Sequence, residues 1–116
     1  MPLAHVYVID DDPALCKSIG NLLEFAGYRV HTWTDAAQFL AELPNAAPAV
    51  VLTDMRMPGM SGVDLQARLK ALGHDLPMVF VSGESRQEEI IAAMKHGAID
   101  FLLKPFTAQA MLDALQ

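Results

Sequence analysis

Five short apolar runs alternate along the chain with five segments whose apolar residues recur every three or four positions. The predicted strands are 5–9, 28–33, 49–53, 78–81 and 100–103. The uninterrupted run 78–81 is typical of a strand that is buried on both faces, whereas 28–33 alternates in character and is predicted nearer the sheet edge. Alternating strands and helices predict a parallel sheet with helices on both of its faces.

Turn and capping residues predict where the helices begin and end. A side-chain oxygen suited to an N-cap precedes four of the predicted helices, at Asp12, Asp35, Ser85 and Thr107. A helix-ending glycine or proline follows four of them, at Gly27, Pro44, Gly73 and Gly97. We therefore expect five strand–helix units and no linker between them.

Composition and charge narrow the functional classes. The chain has 116 residues, of which 53% are hydrophobic, and this suits one domain with a buried core. A formal net charge of -6 argues against direct nucleic-acid binding by this domain. Cys16 has no second cysteine with which to pair, which favours a reducing, cytoplasmic setting and a small buried thiol. Neither a membrane span nor a signal peptide is expected, since no apolar run is long enough.

Polar residues with complementary chemistry follow four of the predicted strands. They are Asp10, Asp11 and Asp12 after the first strand, Asp54 after the third, Ser82 and Gly83 after the fourth, and Lys104 after the fifth. Right-handed crossovers place the carboxyl ends of all five strands at one edge, where open α/β sheets bind ligands. We therefore expect these side chains to converge on one site.

The expected site has the chemistry of phosphoryl transfer. Asp10, Asp11 and Asp54 would repel one another, and a hard divalent cation such as Mg²⁺ would relieve that repulsion. Lys104 and Ser82 add a positive charge and a hydroxyl donor, which together suit a transferring phosphoryl group. A carboxylate is itself a competent nucleophile for such a group.

Four motifs, "VIDDDP", "LTDMRMPGMSG", "VSGES" and "LLKPF", resemble the receiver domain of two-component response regulators, in order and over essentially the whole chain. The resemblance implies a doubly wound (βα)5 domain with a flavodoxin-like strand order 2-1-3-4-5. It implies that a sensor histidine kinase phosphorylates Asp54. It also implies the ligands of Mg²⁺: Asp11 and Asp54 directly, the backbone carbonyl of Arg56, and Asp10 through a water. Ser82 and Lys104 would then bind phosphoryl oxygens.

The same resemblance implies how a signal would leave the site. Ser82 would move toward the phosphoryl group and Phe101 would fill the space behind it; the alternative is that Phe101 is an ordinary core residue. The fourth helix, fifth strand and fifth helix would form the output face and support dimerisation. On the fourth helix we expect Ile91 and Met94 to pack inward and Ile90 to remain available to a partner.

Two further positions and one peptide bond follow from the resemblance. Arg56 and Glu84 flank the path of an attacking water, are expected to tune the phosphoaspartate lifetime, and could form an ion pair over the site. The bond between Lys104 and Pro105 is often cis in the family, which would present the lysine inward.

Other functions remain open at this level. Asp10-x-Asp12 is similar to the opening motif of haloacid-dehalogenase-type phosphatases, in which Asp10 would be the nucleophile, but "DDDPA" lacks the hydroxyl usual in that motif. A flavin binder of the same topology would need a phosphate loop that is not acidic. The amino-acid sequences of the motifs are most similar to those of FixJ-type transcription regulators. A helix-turn-helix output domain that is absent from this sequence is therefore expected. A stand-alone receiver that acts by protein binding is the alternative.

Overall fold

The computed structural model describes residues 5–43, 49–57, 59–74, 76–83, 87–104 and 106–115. Within these ranges the strands are β1 His5–Ile9, β2 Arg29–Trp33, β3 Ala49–Asp54, β4 Met78–Ser82 and β5 Asp100–Leu103. The helices are α1 Pro13–Phe25, α2 Ala36–Glu42, α3 Gly62–Ala71, α4 Gln87–Lys95 and α5 Ala108–Ala114. The strands are parallel and lie in the order β2-β1-β3-β4-β5, which confirms the predicted fold.

The helix ends follow local chemistry. The Asp12 carboxylate accepts hydrogen bonds from the backbone N–H groups of Ala14 and Leu15, and Pro13 occupies the first helical position, so α1 begins as predicted. Gly27 follows α1 at φ 101°, a conformation that side chains disfavour. The N-cap predicted at Ser85 and the helix end predicted at Pro44 lie outside the described residues.

The core consists of two apolar layers, one on each face of the sheet. One layer packs β-strand side chains against α1 and α5, and it includes the predicted buried thiol of Cys16. The other layer packs the opposite strand faces against α2, α3 and α4. Because all five strands are parallel, their carboxyl ends lie at a common edge of the sheet, where the polar residues that follow them meet.

The strand register aligns the ends that carry the expected site. Asp54 at the end of β3 pairs with Val81, and Ser82 at the end of β4 pairs with Leu103. Beyond β1, the Asp10 N–H still donates to the Trp33 carbonyl at 3.0 Å, so Asp10 is held by the edge strand β2. Backbone pairing within the sheet therefore fixes the positions of the residues that carry the acidic side chains.

The predicted orientation of α4 is wrong. Ile91 and Met94 are 46% and 44% exposed, whereas Ile90 is half-buried and Ala93 is fully buried. Residues three apart share a helix face, so Ile90 lies on the side of Ala93, which packs into the core. The close packing of the small Ala93 side chain turns Ile91 and Met94 toward solvent. That Ile90 belongs to an output face stays a prediction.

Across the described residues, none of the helices combines the length and the apolar character needed to cross a membrane.

Candidate functional site

The three acids expected at the carboxyl edge come together. Asp10 and Asp54 are buried and Asp11 is exposed, and one carboxylate oxygen from each lies within 4.8 Å of the others. Asp10 is oriented by its own loop, since its Oδ1 accepts a hydrogen bond from the Asp12 N–H at 3.0 Å. Three carboxylates from β1 and β3 therefore form one acidic cluster.

Lys104 enters this cluster from β5. Its Nζ donates to Asp10 Oδ2 at 3.1 Å and to Asp54 Oδ2 at 3.4 Å, so the single ammonium bridges both buried carboxylates. The backbone N–H of Lys104 donates to the Ser82 carbonyl at 2.8 Å, which ties the end of β5 to the end of β4. Charge pairing thus offsets part of the cost of burying Asp10 and Asp54.

The pKa values of Asp54 and Lys104 are both raised within the cluster. Burial raises the pKa of Asp54, the Asp10 carboxylate raises it further, and the Arg56 N–H and Lys104 lower it without cancelling the increase. Burial lowers the pKa of Lys104, but the carboxylates of Asp10 and Asp54 raise it by more, so its net pKa is raised. The ionised form of Asp54 is therefore less favourable in the folded protein than in water, mainly because the carboxylate is buried.

The loop after β3 holds Asp54 at the site mouth. The Arg56 N–H donates to Asp54 Oδ1 at 3.3 Å, and the Gly62 N–H donates to the Met55 carbonyl at 2.8 Å. A Cβ on Gly62 would lie 2.9 Å from the Asp54 carbonyl oxygen and 2.8 Å from the Phe80 ring. Glycine at this position therefore allows α3 to start directly against the strand that carries Asp54.

Ser82 and Phe101 lie on β4 and β5, which follow β3 in the strand order. Ser82 is buried at the end of β4, next in the chain to Val81, the register partner of Asp54. Phe101 is half-buried on β5, opposite Phe80, and packs against the apolar layer under α2, α3 and α4. Their proposed movement on phosphorylation stays a prediction.

The acidic cluster fits a hard divalent cation. Its donors are carboxylate oxygens, which Mg²⁺ prefers, and they converge from two strands into a partly open site. Among the described residues, the three carboxylates face the single ammonium of Lys104, which leaves negative charge uncompensated at the same place. The ligand roles of Asp10, Asp11, Asp54 and the Arg56 carbonyl stay predictions.

One contact at the site was not predicted. The Arg56 guanidinium pairs with Glu89 on α4, and Glu84, its expected partner, lies outside the described residues. Gln66 was also missed: it is buried on α3, and its Nε2 donates to the Ala93 and His96 carbonyls. Glu89 carried a weak signal, since it is an acid in the first turn of a helix that follows a site strand.

The fold and the site together define a doubly wound α/β receiver-type domain, with an acidic cluster and a lysine at the point where the strand order reverses. The chain belongs to the response regulator receiver domain family, whose model matches residues 6–116. It is 43% identical over 102 residues to the transcriptional regulatory protein FixJ of Bradyrhizobium diazoefficiens, covering 88% of this chain and 50% of that protein. It is 36% identical over 111 residues to the response regulator protein TodT of Pseudomonas putida, covering 96% and 49%.

Solved structures agree with this assignment. The crystal structure of FixJ-N superposes with a TM-score of 0.90 at 35% identity, covering 99% of this chain and 92% of that one. The response regulator StyR superposes at 0.89 with 42% identity, covering 97% and 57%. The expected similarity to FixJ-type receivers is confirmed. The chain spans about half the length of the curated relatives named here.

Proposed function

We propose that this domain accepts a phosphoryl group from a sensor histidine kinase onto Asp54 and passes the signal to an output domain. The observation that carries the proposal is the bridge from Lys104 to both Asp10 and Asp54 within the acidic cluster. A nucleophilic carboxylate beside a fixed ammonium and a cation-binding set of acids is suited to phosphoryl transfer.

The transfer is a substitution at phosphorus. An Asp54 carboxylate oxygen forms the new O–P bond while the P–N bond of the donor phosphohistidine breaks, and the leaving imidazole nitrogen takes a proton from solvent. Lys104 and Ser82 bind phosphoryl oxygens and hold the group in place. Asp11, Asp54 and the Arg56 carbonyl would hold Mg²⁺ directly and Asp10 would hold it through a water, and the ion would supply positive charge that neutralises those oxygens. Loss of the phosphoryl group to water would return the domain to its starting state.

An apolar groove beside the site supports a helical partner as the phosphodonor. Its volume is about 450 Å³, and residues of α1 and of the segment from Lys104 to Met111 line it, including Leu15, Leu22 and Phe106. Lys104, which contacts Asp54, is one of the residues that line the groove, so a kinase helix that lies in it would carry its phosphohistidine close to Asp54. The proposed setting of this exchange is the cytoplasm.

The test is to locate the phosphoryl group chemically. After incubation with acetyl phosphate and Mg²⁺, peptide mass spectrometry is expected to find the added group on Asp54. Chelation of Mg²⁺ should abolish the label, because the carboxylates would then repel the incoming phosphate. A label on Asp10 instead would contradict the proposal and favour the haloacid-dehalogenase-type alternative. That alternative belongs to a different family from the one that the chain matches.

An exposed apolar surface on α4 and β5 supports a phosphorylation-dependent homodimer. It comprises Ile91, Met94, Ile99 and Leu103, which are 44–58% exposed. We propose that this α4–β5 surface, together with Ile90, Phe101 and α5, forms the output face. Burying it against a second copy would remove apolar area from water.

Replacing Met94 with glutamate is expected to prevent dimerisation of the phosphorylated domain without unfolding it, because the charge would be buried at the interface while Met94 is already solvated in the monomer. Size-exclusion chromatography with light scattering, with and without acetyl phosphate, measures this. Leu72→Glu is the matched control, since Leu72 is an exposed apolar residue at the end of α3. Equal dimerisation of the two variants would contradict the proposed face.

Two relatives suggest what kind of output domain this receiver controls. FixJ is a transcriptional regulatory protein, and TodT is a response regulator about twice as long as the match. We propose that the receiver, residues 1–116, controls a C-terminal helix-turn-helix domain that binds DNA. A stand-alone receiver acting by protein binding is the second candidate, and the chemotaxis protein CheY4 of Vibrio cholerae, 27% identical with a TM-score of 0.89, has the same fold.

A further inference from the structure

Helix α4 has a small apolar contact with the rest of the domain. Among its nine residues only Ala93 is fully buried and Ile90 beside it is half-buried, so the helix buries little apolar area. Polar contacts near its two ends supplement this apolar contact. Near the C-terminal end, Gln66 Nε2 donates to the carbonyls of Ala93 and His96, each at 3.3 Å. In the first turn, Glu89 pairs with Arg56.

The Arg56–Glu89 pair connects α4 to the loop that carries the phosphoacceptor. Arg56 lies two residues after Asp54, and its backbone N–H donates to Asp54 Oδ1. Its guanidinium bonds Glu89 Oε1 at 2.5 Å, with the two side chains 49% and 26% exposed. The same residue therefore contacts Asp54 through its backbone and α4 through its side chain.

A phosphoryl group on Asp54 would compete with Glu89 for this guanidinium. Phosphorylation adds about -1.5 to -2 charges and three acceptor oxygens. Guanidinium binds phosphate oxygens well, often in a bidentate geometry. Glu89 would lose its partner at small cost, since an acid in the first turn of a helix also interacts favourably with the helix dipole. Releasing Glu89 would leave the first turn of α4 without this contact.

We propose that Glu89 is a positioning residue that draws the Arg56 guanidinium toward α4, and that a phosphoryl group on Asp54 releases α4 by taking Arg56 from it. The inference rests on the proposed phosphorylation of Asp54 and adds the route by which α4 responds. By linkage, a change in Glu89 that weakens the pair while Arg56 is retained must strengthen binding of the phosphoryl group.

Beryllium trifluoride with Mg²⁺, a reversible mimic of an acyl phosphate, turns this linkage into an affinity measurement. Its apparent Kd is obtained by NMR titration of the domain. Glu89→Gln is expected to bind it about 2- to 5-fold more tightly than the wild type, which is the range that an exposed ion pair supplies. In an Arg56→Ala background, Glu89→Gln is expected to change nothing.

Glu88→Gln is the matched control. Glu88 is the exposed neighbour in the same turn, and it forms no ion pair with any described residue, so this variant removes the same charge and leaves the Arg56 contact intact. Equal Kd values for Glu88→Gln and Glu89→Gln would overturn the inference, as would an effect of Glu89→Gln that persists without Arg56. A wild-type domain that binds no beryllium trifluoride and takes no label from acetyl phosphate would overturn the proposed function itself.

Discussion

Asp54→Asn is expected to abolish phosphoryl uptake and, at neutral pH, to make the domain more stable. Uptake is lost because an amide is not a nucleophile for phosphorus. Stability rises because burial and Asp10 raise the pKa of Asp54, which means that its ionised form is unfavourable in the folded state. Asparagine keeps the shape without the charge, and Lys104 retains Asp10 as its partner. We expect the melting temperature without Mg²⁺ to rise by a few degrees.

The raised pKa of Asp54 also predicts how the stability difference between the variant and the wild type changes with pH. A carboxyl whose folded-state pKa is raised takes up its proton first in the folded state as the pH falls. The stability penalty of ionised Asp54 is therefore present at neutral pH, and it disappears as the pH falls toward the ordinary value of 3.8. The stability difference between Asp54→Asn and the wild type should narrow over the same interval. Thermal unfolding followed by circular dichroism across this pH range measures it.

Asp12→Asn is the matched control for charge. Asp12 is exposed and caps α1, and asparagine is an equally good N-cap, so this variant removes a nearby negative charge while keeping the cap and the phosphoacceptor. It should still be phosphorylated and should show a smaller change in stability. An Asp54→Asn variant less stable than the wild type at neutral pH would contradict the electrostatic account.

Lys104→Ala is expected to slow phosphoryl uptake from acetyl phosphate by about 100-fold or more, because a fixed cation at the developing charge is lost. It should also destabilise the domain at neutral pH, on the order of 1–3 kcal/mol, since two buried carboxylates lose a shared hydrogen-bond donor. The loss should shrink as the pH falls and Asp54 becomes protonated. Rates of label incorporation and urea unfolding at two pH values measure both effects.

The rise in melting temperature on adding Mg²⁺ tests whether Lys104 compensates the charge of the acidic cluster. If the acidic cluster binds the cation, Mg²⁺ should raise the melting temperature of Lys104→Ala more than that of the wild type, because more uncompensated charge is present. Lys70→Ala, at an exposed lysine on α3, controls for the general loss of a positive charge. Equal Mg²⁺ stabilisation of the two lysine variants would show that Lys104 does not compensate the cluster.

Much of the site could be predicted from sequence because its residues follow strands. Asp54 and Lys104 each come directly after an apolar run, and parallel strands deliver such residues to one edge whatever the details of packing. Capping chemistry is equally local, so the start of α1 at Asp12–Pro13 was predictable. The contact of Lys104 with both buried acids confirms the expected convergence of these residues.

The orientation of α4 could not be predicted in the same way. Ile90, Ile91 and Met94 lie on more than one face of the helix. The apolar pattern alone was therefore compatible with two orientations of α4 against the sheet. Packing against β4, β5 and α3 selected Ala93 as the inward residue and exposed Ile91 and Met94. The partner of Arg56 was undetermined for the same reason, because it depends on which α4 side chains face the site.

Local sequence patterns were therefore sufficient to predict the strand–helix order, the starts of α1, α2 and α5, and the charged residues at the carboxyl edge. These depend on backbone periodicity and on hydrogen bonds between near neighbours in the chain. Tertiary packing was needed to show that Lys104 bridges Asp10 and Asp54, that Arg56 pairs with Glu89, and that α4 exposes Ile91 and Met94 to solvent. Those contacts join residues that are far apart in the chain, and their geometry is set by how the helices pack on the sheet.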